Sequence, residues 1–171
     1  MIVGYSGLVI IARTGDTRLD ELACVDDLFV AVTDNVRAGG WRIGFLGPVD
    51  DTSPEDLAND LALETVAPAI ALLVFDSDCA WATAADPAGD TVDFHLSEET
   101  IRLLVTDGGD SFEPLNGQAL AGLLVWAGKA GLFAGSGQLA AALEECPGPF
   151  GDGIFAFAEA LGIAELPEQH N

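Results

Sequence analysis

Positive charge is almost missing from this chain. Six lysines and arginines stand against 28 aspartates and glutamates in 171 residues, the formal net charge is −22, and Lys129 is the sole lysine. Such a chain is repelled by nucleic-acid backbones and by anionic membrane surfaces, and it draws basic proteins and cations. Arg13, Arg18, Arg37, Arg42 and Arg102 are scattered, so no basic patch for direct nucleic-acid binding is visible. Cysteine is sparse too. Cys24, Cys79 and Cys146 lie far apart, with no CxxC pair and no Cys/His spacing for zinc. That pattern fits free thiols in a reducing compartment better than a disulfide framework.

Two further absences bear on location. The apolar N-terminal run, Met1 to Ala12, has no basic stretch before it and no small-residue cleavage site after it, and Arg13 follows it. It reads as a first strand, not a signal peptide, and the expected location is cytoplasmic. Gln118 to Leu143 carries one charge, Lys129, but Gly122, Gly128, Gly131, Gly135 and Gly137 dilute it. A membrane span needs roughly 20 predominantly apolar residues. Two buried helices with a glycine-rich break are expected instead, and no membrane association.

What is present is a folding composition. Half the residues are hydrophobic, which is not the make-up of a disordered acidic tail. The longest acidic runs are pairs: Asp26–Asp27, Asp50–Asp51, Glu98–Glu99 and Glu144–Glu145. The charge therefore coats a folded body. A high-GC genome or a salt-adapted proteome gives the same bias, so charge alone assigns no function.

Along the chain, Ile2 to Ala12 is strand-like, with Val9, Ile10 and Ile11 in succession. From Leu22 to Val36 the residues Val25, Leu28, Phe29, Val32 and Val36 recur at helical spacing, which predicts an amphipathic helix ending at Gly39–Gly40. A short strand over Leu28 to Val32 is the other reading. Trp41 to Leu46 alternates as a half-buried strand. Ser53-Pro54-Glu55-Asp56 combines a capping side chain, a first-turn proline and two acids, opening a helix to about Val66. Ala69 to Phe75, Cys79 to Ala84 and Thr91 to Leu96 form an antiparallel meander, with a turn at Asp86-Pro87-Ala88-Gly89-Asp90. Ser97-Glu98-Glu99 starts a helix to about Thr106. Gln118 to Gly128, Ser136 to Glu145 and Gly153 to Leu161 are helical, with Asp152 as cap and Gly162 as stop.

The expected fold class is α+β: a mixed, largely antiparallel sheet of about four or five strands with packed helices and a helical C-terminal third. The organisation is a single domain over 1–171, with a sheet-containing part at 1–106, a helical part at 115–163 packed on it, and a loose tail at 164–171.

No catalytic motif survives inspection. Gly4-Tyr5-Ser6-Gly7 lacks glycine two residues after the serine, where Leu8 stands. Gly122 to Lys129 misses the phosphate-loop spacing by one residue, and Ala130 replaces the needed Ser or Thr. A calcium loop counted from Asp107 would need Gly at Phe112 and Glu at Gln118. The segment from Asp76 to Glu99 is the candidate site. Asp76 and Asp78 follow a strand, and Asp93 and His95 share one strand face. Convergence of Asp76, Asp78, Asp93 and His95 would bind a divalent metal or pair a base with an orienting acid. Outward polar residues on an edge strand give the same alternation, and Asp-Ser-Asp is ordinary turn chemistry. His170 lies in the tail, so His95 is the imidazole that any His-dependent mechanism would use.

These features favour a small acidic cytosolic protein-interaction module without cofactor. Its expected partner is basic, such as a toxin or nuclease neutralised in the manner of an immunity protein. Asp76, Asp78, Trp81, Asp93 and Glu98 are the expected contact residues. The alternatives are a small metal-dependent enzyme on Asp76, Asp78, Asp93 and His95, and a nucleic-acid mimic or acidic subunit of a larger assembly. The Ala/Gly-rich stretch from 119 to 143 also permits a homodimer.

Overall fold

A computed structural model describes residues 5–49 and 51–167. Met1 to Gly4, Asp50 and the tail from 168, with His170, lie outside the described residues. Among the described residues six strands form one sheet: β1 (Gly7–Arg13), β2 (Val32–Val36), β3 (Trp41–Leu46), β4 (Ala69–Phe75), β5 (Cys79–Ala85) and β6 (Thr91–Leu96). Their order is β2-β3-β1-β4-β5-β6, and every neighbouring pair is antiparallel. Six α-helices among the described residues complete the α+β fold: α1 (Ala23–Asp26), α2 (Pro54–Thr65), α3 (Glu98–Asp107), α4 (Asn116–Lys129), α5 (Ser136–Leu143) and α6 (Asp152–Leu161). No helix among the described residues is long and apolar enough to cross a membrane.

The period-2 pattern of the central strands builds two cores. Val9, Ile11, Ile43, Leu72, Phe94 and Leu96 face α4, α5 and α6, where Trp126, Leu139 and Phe157 close the layer. Leu8, Ile10, Leu46 and Ala71 face the other way, onto Leu57 and Leu61 of α2 and Val25 of α1. β1 and β4 are buried on both faces, which is why they read as continuous apolar runs. The indole Nε1 of Trp126 donates to the Ala85 carbonyl at 2.9 Å, satisfying the polar edge of a buried ring.

The sheet has one or two strands more than expected, and the extra strand replaces part of a predicted helix. The helix expected over Leu22 to Val36 stops at Asp26, and β2 follows. Phe29 sits in the left-handed region (φ 54) and is 90% exposed, so its match to the helical period is fortuitous. Val32, Thr33 and Val36 are β-branched and pair as a strand with β3. Gly39 (φ 72) and Gly40 (φ 82) do not end a helix; they turn the chain from β2 into β3. A second difference is local. Gly151 (φ 79) is the N-cap of α6, and Asp152 is its first residue instead of its cap.

Other boundaries follow their chemistry. Ser53 caps α2 by accepting from the Asp56 N–H at 3.1 Å. Gly44 lets the acidic segment before α1 lie on the sheet, because a Cβ there would meet Leu19 Cδ1 at 2.5 Å. Helix α2 ends at Val66, a β-branched residue in the left-handed conformation (φ 53) that glycine occupies without steric cost. Replacing Val66 by Gly is expected to raise stability by about 1 kcal/mol in urea unfolding, through relief of that conformation. A loss of similar size would mean that the exposed valine makes a stabilising contact.

Candidate interaction surface

The expected site residues are positioned by the β4–β5–β6 meander but do not form one cluster. Asp76 and Ser77 are both at positive φ, as in a primed hairpin turn, and the Asp78 N–H returns to the Phe75 carbonyl at 3.0 Å. Ser77 is buried; its Oγ accepts from the Tyr5 N–H, and its carbonyl accepts from the Gly148 N–H. Asp76 and Asp78 flank it in solvent. Asp93 pairs across the sheet with Thr83, whose hydroxyl donates to its Oδ1 at 2.7 Å. Trp81 opposite His95 is half-buried. Among the described residues, no three His, Cys, Asp or Glu side chains converge to hold a metal ion. The hairpin register separates them, since Cys79 lies beside the turn whereas Asp93 faces Thr83, further along β5.

His95 and Glu98 come together for a different task. Glu98 Oε2 lies 2.8 Å from His95 Nδ1 and accepts the backbone N–H groups of Leu115 and Asn116 at 2.9 and 3.1 Å. It thereby holds the start of α4, where four backbone donors lack intrahelical partners. Asn116 completes the knot: its side chain accepts from the His95 N–H and donates to the His95 carbonyl, each at 2.8 Å. An amide thus occupies the outer edge of β6 as a neighbouring strand would. Burial alone would raise the Glu98 pKa, but the Leu115 N–H, His95 and the Asn116 N–H outweigh it and hold the carboxyl below its ordinary value.

The chain's six cations are engaged internally. Lys129 Nζ reaches Asp86 and Asp90 at 2.8 and 3.0 Å. Arg42 pairs with Asp34 at 3.1 Å, Arg18 with Asp20 and Glu21, and Arg102 with Glu99. Arg37 lies near Glu159 and Glu165 at 3.7 and 3.9 Å. Arg13 donates to the Ala130 carbonyl at 3.1 Å and stacks over Trp41.

Exposed acidic charge is densest elsewhere than the meander. Residues 14–29 carry Asp16, Asp20, Glu21, Asp26 and Asp27; residues 51–66 carry Asp51, Glu55, Asp56, Asp60 and Glu64, and all of these are exposed. Arg18 is the one cation in either segment. The two segments meet because Glu64, near the end of α2, accepts the Ala23 and Cys24 N–H groups at 2.7 and 2.9 Å. Between them runs a groove of about 630 Å³, walled by Asp27, Asp51, Asp56, Asp60 and Glu64 and floored by Leu28 and Leu57. Leu63 lines it and is 65% exposed, and Phe29 projects beside Leu28. Cys24 also faces the groove, but burial, then Glu64 and Asp60, push its thiol up to about 12. At neutral pH it is therefore held in the thiol form.

Sequence reasoning missed this surface because its shorter wall was expected to be part of one long helix. Its legible signal was the density of acids on both sides of a predicted α2. No protein-family model, curated protein or solved structure matches this chain.

The Glu98 knot gives a pH-dependent prediction. Because its folded pKa is depressed, its stabilisation is complete above the ordinary glutamate value of about 4.3 and is lost as pH falls through the folded value. Glu98→Gln should cost about 1–2 kcal/mol at neutral pH, and the gap to wild type should close in acid. A gap independent of pH would show that the carboxylate charge is not what holds α4.

Proposed function

We propose that the protein is a non-catalytic interaction module that binds and neutralises a basic protein, as an immunity protein covers the cationic surface of a toxin or nuclease. The observation that carries this reading is the internal engagement of all six cations, which leaves the exposed acids of residues 14–29 and 51–66, apart from Asp20 and Glu21 beside Arg18, without a cationic side chain within ion-pair reach. Such a field steers a basic partner to the groove.

Apolar groups support the same surface. Phe29 and Val66 are bulky residues held at positive φ and exposed at 90% and 77%. Backbone strain combined with solvent exposure is costly in the free protein, and strained residues gather at binding sites. Leu63 lies within the acidic walls of the groove and Phe29 directly follows its floor residue Leu28, so apolar anchors accompany the acids, as at interface centres. Asp76, Asp78, Trp81 and Asp93 are spread over the meander and are secondary contact candidates. The setting is cytoplasmic, where Cys24, Cys79 and Cys146 remain free thiols.

A tagged pulldown from the native lysate, eluted by rising salt, tests the reading. One basic protein should be released stoichiometrically. Phe29→Ala should weaken its capture by about tenfold without lowering stability, the behaviour of an anchor residue. Failure to retain any basic protein, or a partner indifferent to Phe29, would contradict the proposal.

A further inference from the structure

The two edges of the sheet are treated differently. At β6 the Asn116 amide takes up both backbone groups of His95. At β2 no strand or side chain among the described residues does so. Ala31 and Arg37 bond to Gly47 and Trp41 at the two ends of the β2–β3 ladder. The alternation of an antiparallel pair therefore turns the backbone groups of Val32, Asp34 and Val36 outward. β2 carries no proline or lysine, its register with β3 is unbroken, and its one charged side chain, Asp34, is paired with Arg42 on the neighbouring strand instead of standing at the edge.

Two more observations fall on this strand or directly beside it. Among the described residues, the buried side-chain polar atoms without a hydrogen-bond partner are Asp34 Oδ1 and Arg37 Nη1. Arg37 is 7% exposed with its guanidinium over Phe155 at 4.8 Å, and its glutamate neighbours stand beyond hydrogen-bond reach. Beside β2, on the α6 side, lies a largely apolar cavity of about 320 Å³ whose lining includes Thr33, Asn35, Phe45, Phe150 and Phe155. Phe150 is 77% exposed at this cavity.

We infer that β2 receives an extended segment of a basic partner as a seventh strand, with one apolar side chain of that segment in the aromatic cavity. Backbone pairing supplies affinity and the cavity supplies selectivity, as in other strand-addition complexes. The occupant is not a second copy of this chain. Antiparallel self-pairing centred on Asp34 would set two aspartates opposite each other and join two chains of net charge −22. Exposed Glu159 and Glu165 beside Arg37 favour lysine or arginine at the flanking positions. The basic character of the segment rests on the function proposed above; the edge pairing does not.

The test uses a peptide of about eight residues, a typical strand with short flanks, alternating lysine with valine around a central phenylalanine. Its analogue with every backbone amide N-methylated has the same charge but has no backbone N–H to donate to β2 from either edge. Binding is read by fluorescence anisotropy at about 0.15 M salt, where long-range attraction is screened. The unmodified peptide should bind, and the N-methylated one about tenfold or more weaker, since backbone bonds carry the affinity. Val36→Pro, which removes an outward N–H and no ladder bond, should cause a similar loss with unchanged circular dichroism. Phe150→Ala should weaken binding through the cavity alone. Asp56→Asn with Asp60→Asn should leave the difference between the two peptides intact, separating this inference from the acidic-groove reading. Equal binding of both peptides, or full binding by Val36→Pro, would overturn it. So would a wild-type dimer that Val36→Pro dissociates, which would make a second copy the occupant.

Discussion

With six cations for 28 carboxylates, this chain must hold itself together against its own charge. Self-repulsion disfavours the compact state, and cations stand at junctions where two elements meet. Lys129 fastens the end of α4 to the β5–β6 turn through Asp86 and Asp90. Arg13 links β1 to the residue after α4, and Arg42 links β3 to Asp34 of β2. Asp34 in turn accepts the Leu19 N–H, tying the acidic segment to the sheet. Where cations run out, backbone N–H groups replace them. Glu64 holds the start of α1 and Glu98 the start of α4. A carboxylate at a helix N-terminus finds partial positive charge that costs no lysine. In both residues burial works against ionisation, yet the hydrogen bonds prevail and the pKa is lowered.

That economy divides the acids into two populations. Glu64, Asp86 and Glu98 act inside the fold as caps and turn locks. The others along α1 and α2 meet solvent, and next to them the chain exposes Phe29, Leu63 and Val66. Two of those three adopt backbone conformations that glycine would relieve. A fold selected for stability alone would place glycine at Val66 and a polar residue at Phe29. Keeping bulky apolar groups there is the stability–function trade that the proposed binding surface would require.

Much of the fold was legible because local signals and tertiary packing agreed. Ser53-Pro54 fixed the start of α2, and Ala69 to Phe75, buried on most of its length, appeared as a continuous apolar run. The meander through β6 and the break between α4 and α5 followed from glycine and proline punctuation. The segment from Leu22 to Val36 did not, because its apolar spacing fits a helix while its β-branched content and its pairing with β3 favour a strand; long-range pairing prevailed. The site was harder still. Asp76, Asp78, Asp93 and His95 are near one another in sequence, but only registers and turn geometry determine that they diverge. The role of Glu98 depends on Leu115 and Asn116, whose proximity is tertiary. The open edge at β2 is invisible in sequence for the same reason.

The most direct measurement of the central claim is the association rate of the captured basic partner as a function of ionic strength, for wild type and for Asp56→Asn with Asp60→Asn. If the exposed acids of α1 and α2 steer binding, the wild-type rate falls steeply with salt, and the variant starts slower with a shallower slope. Identical rates and slopes for the two proteins would contradict the account and reduce the acidity of this surface to a compositional trait.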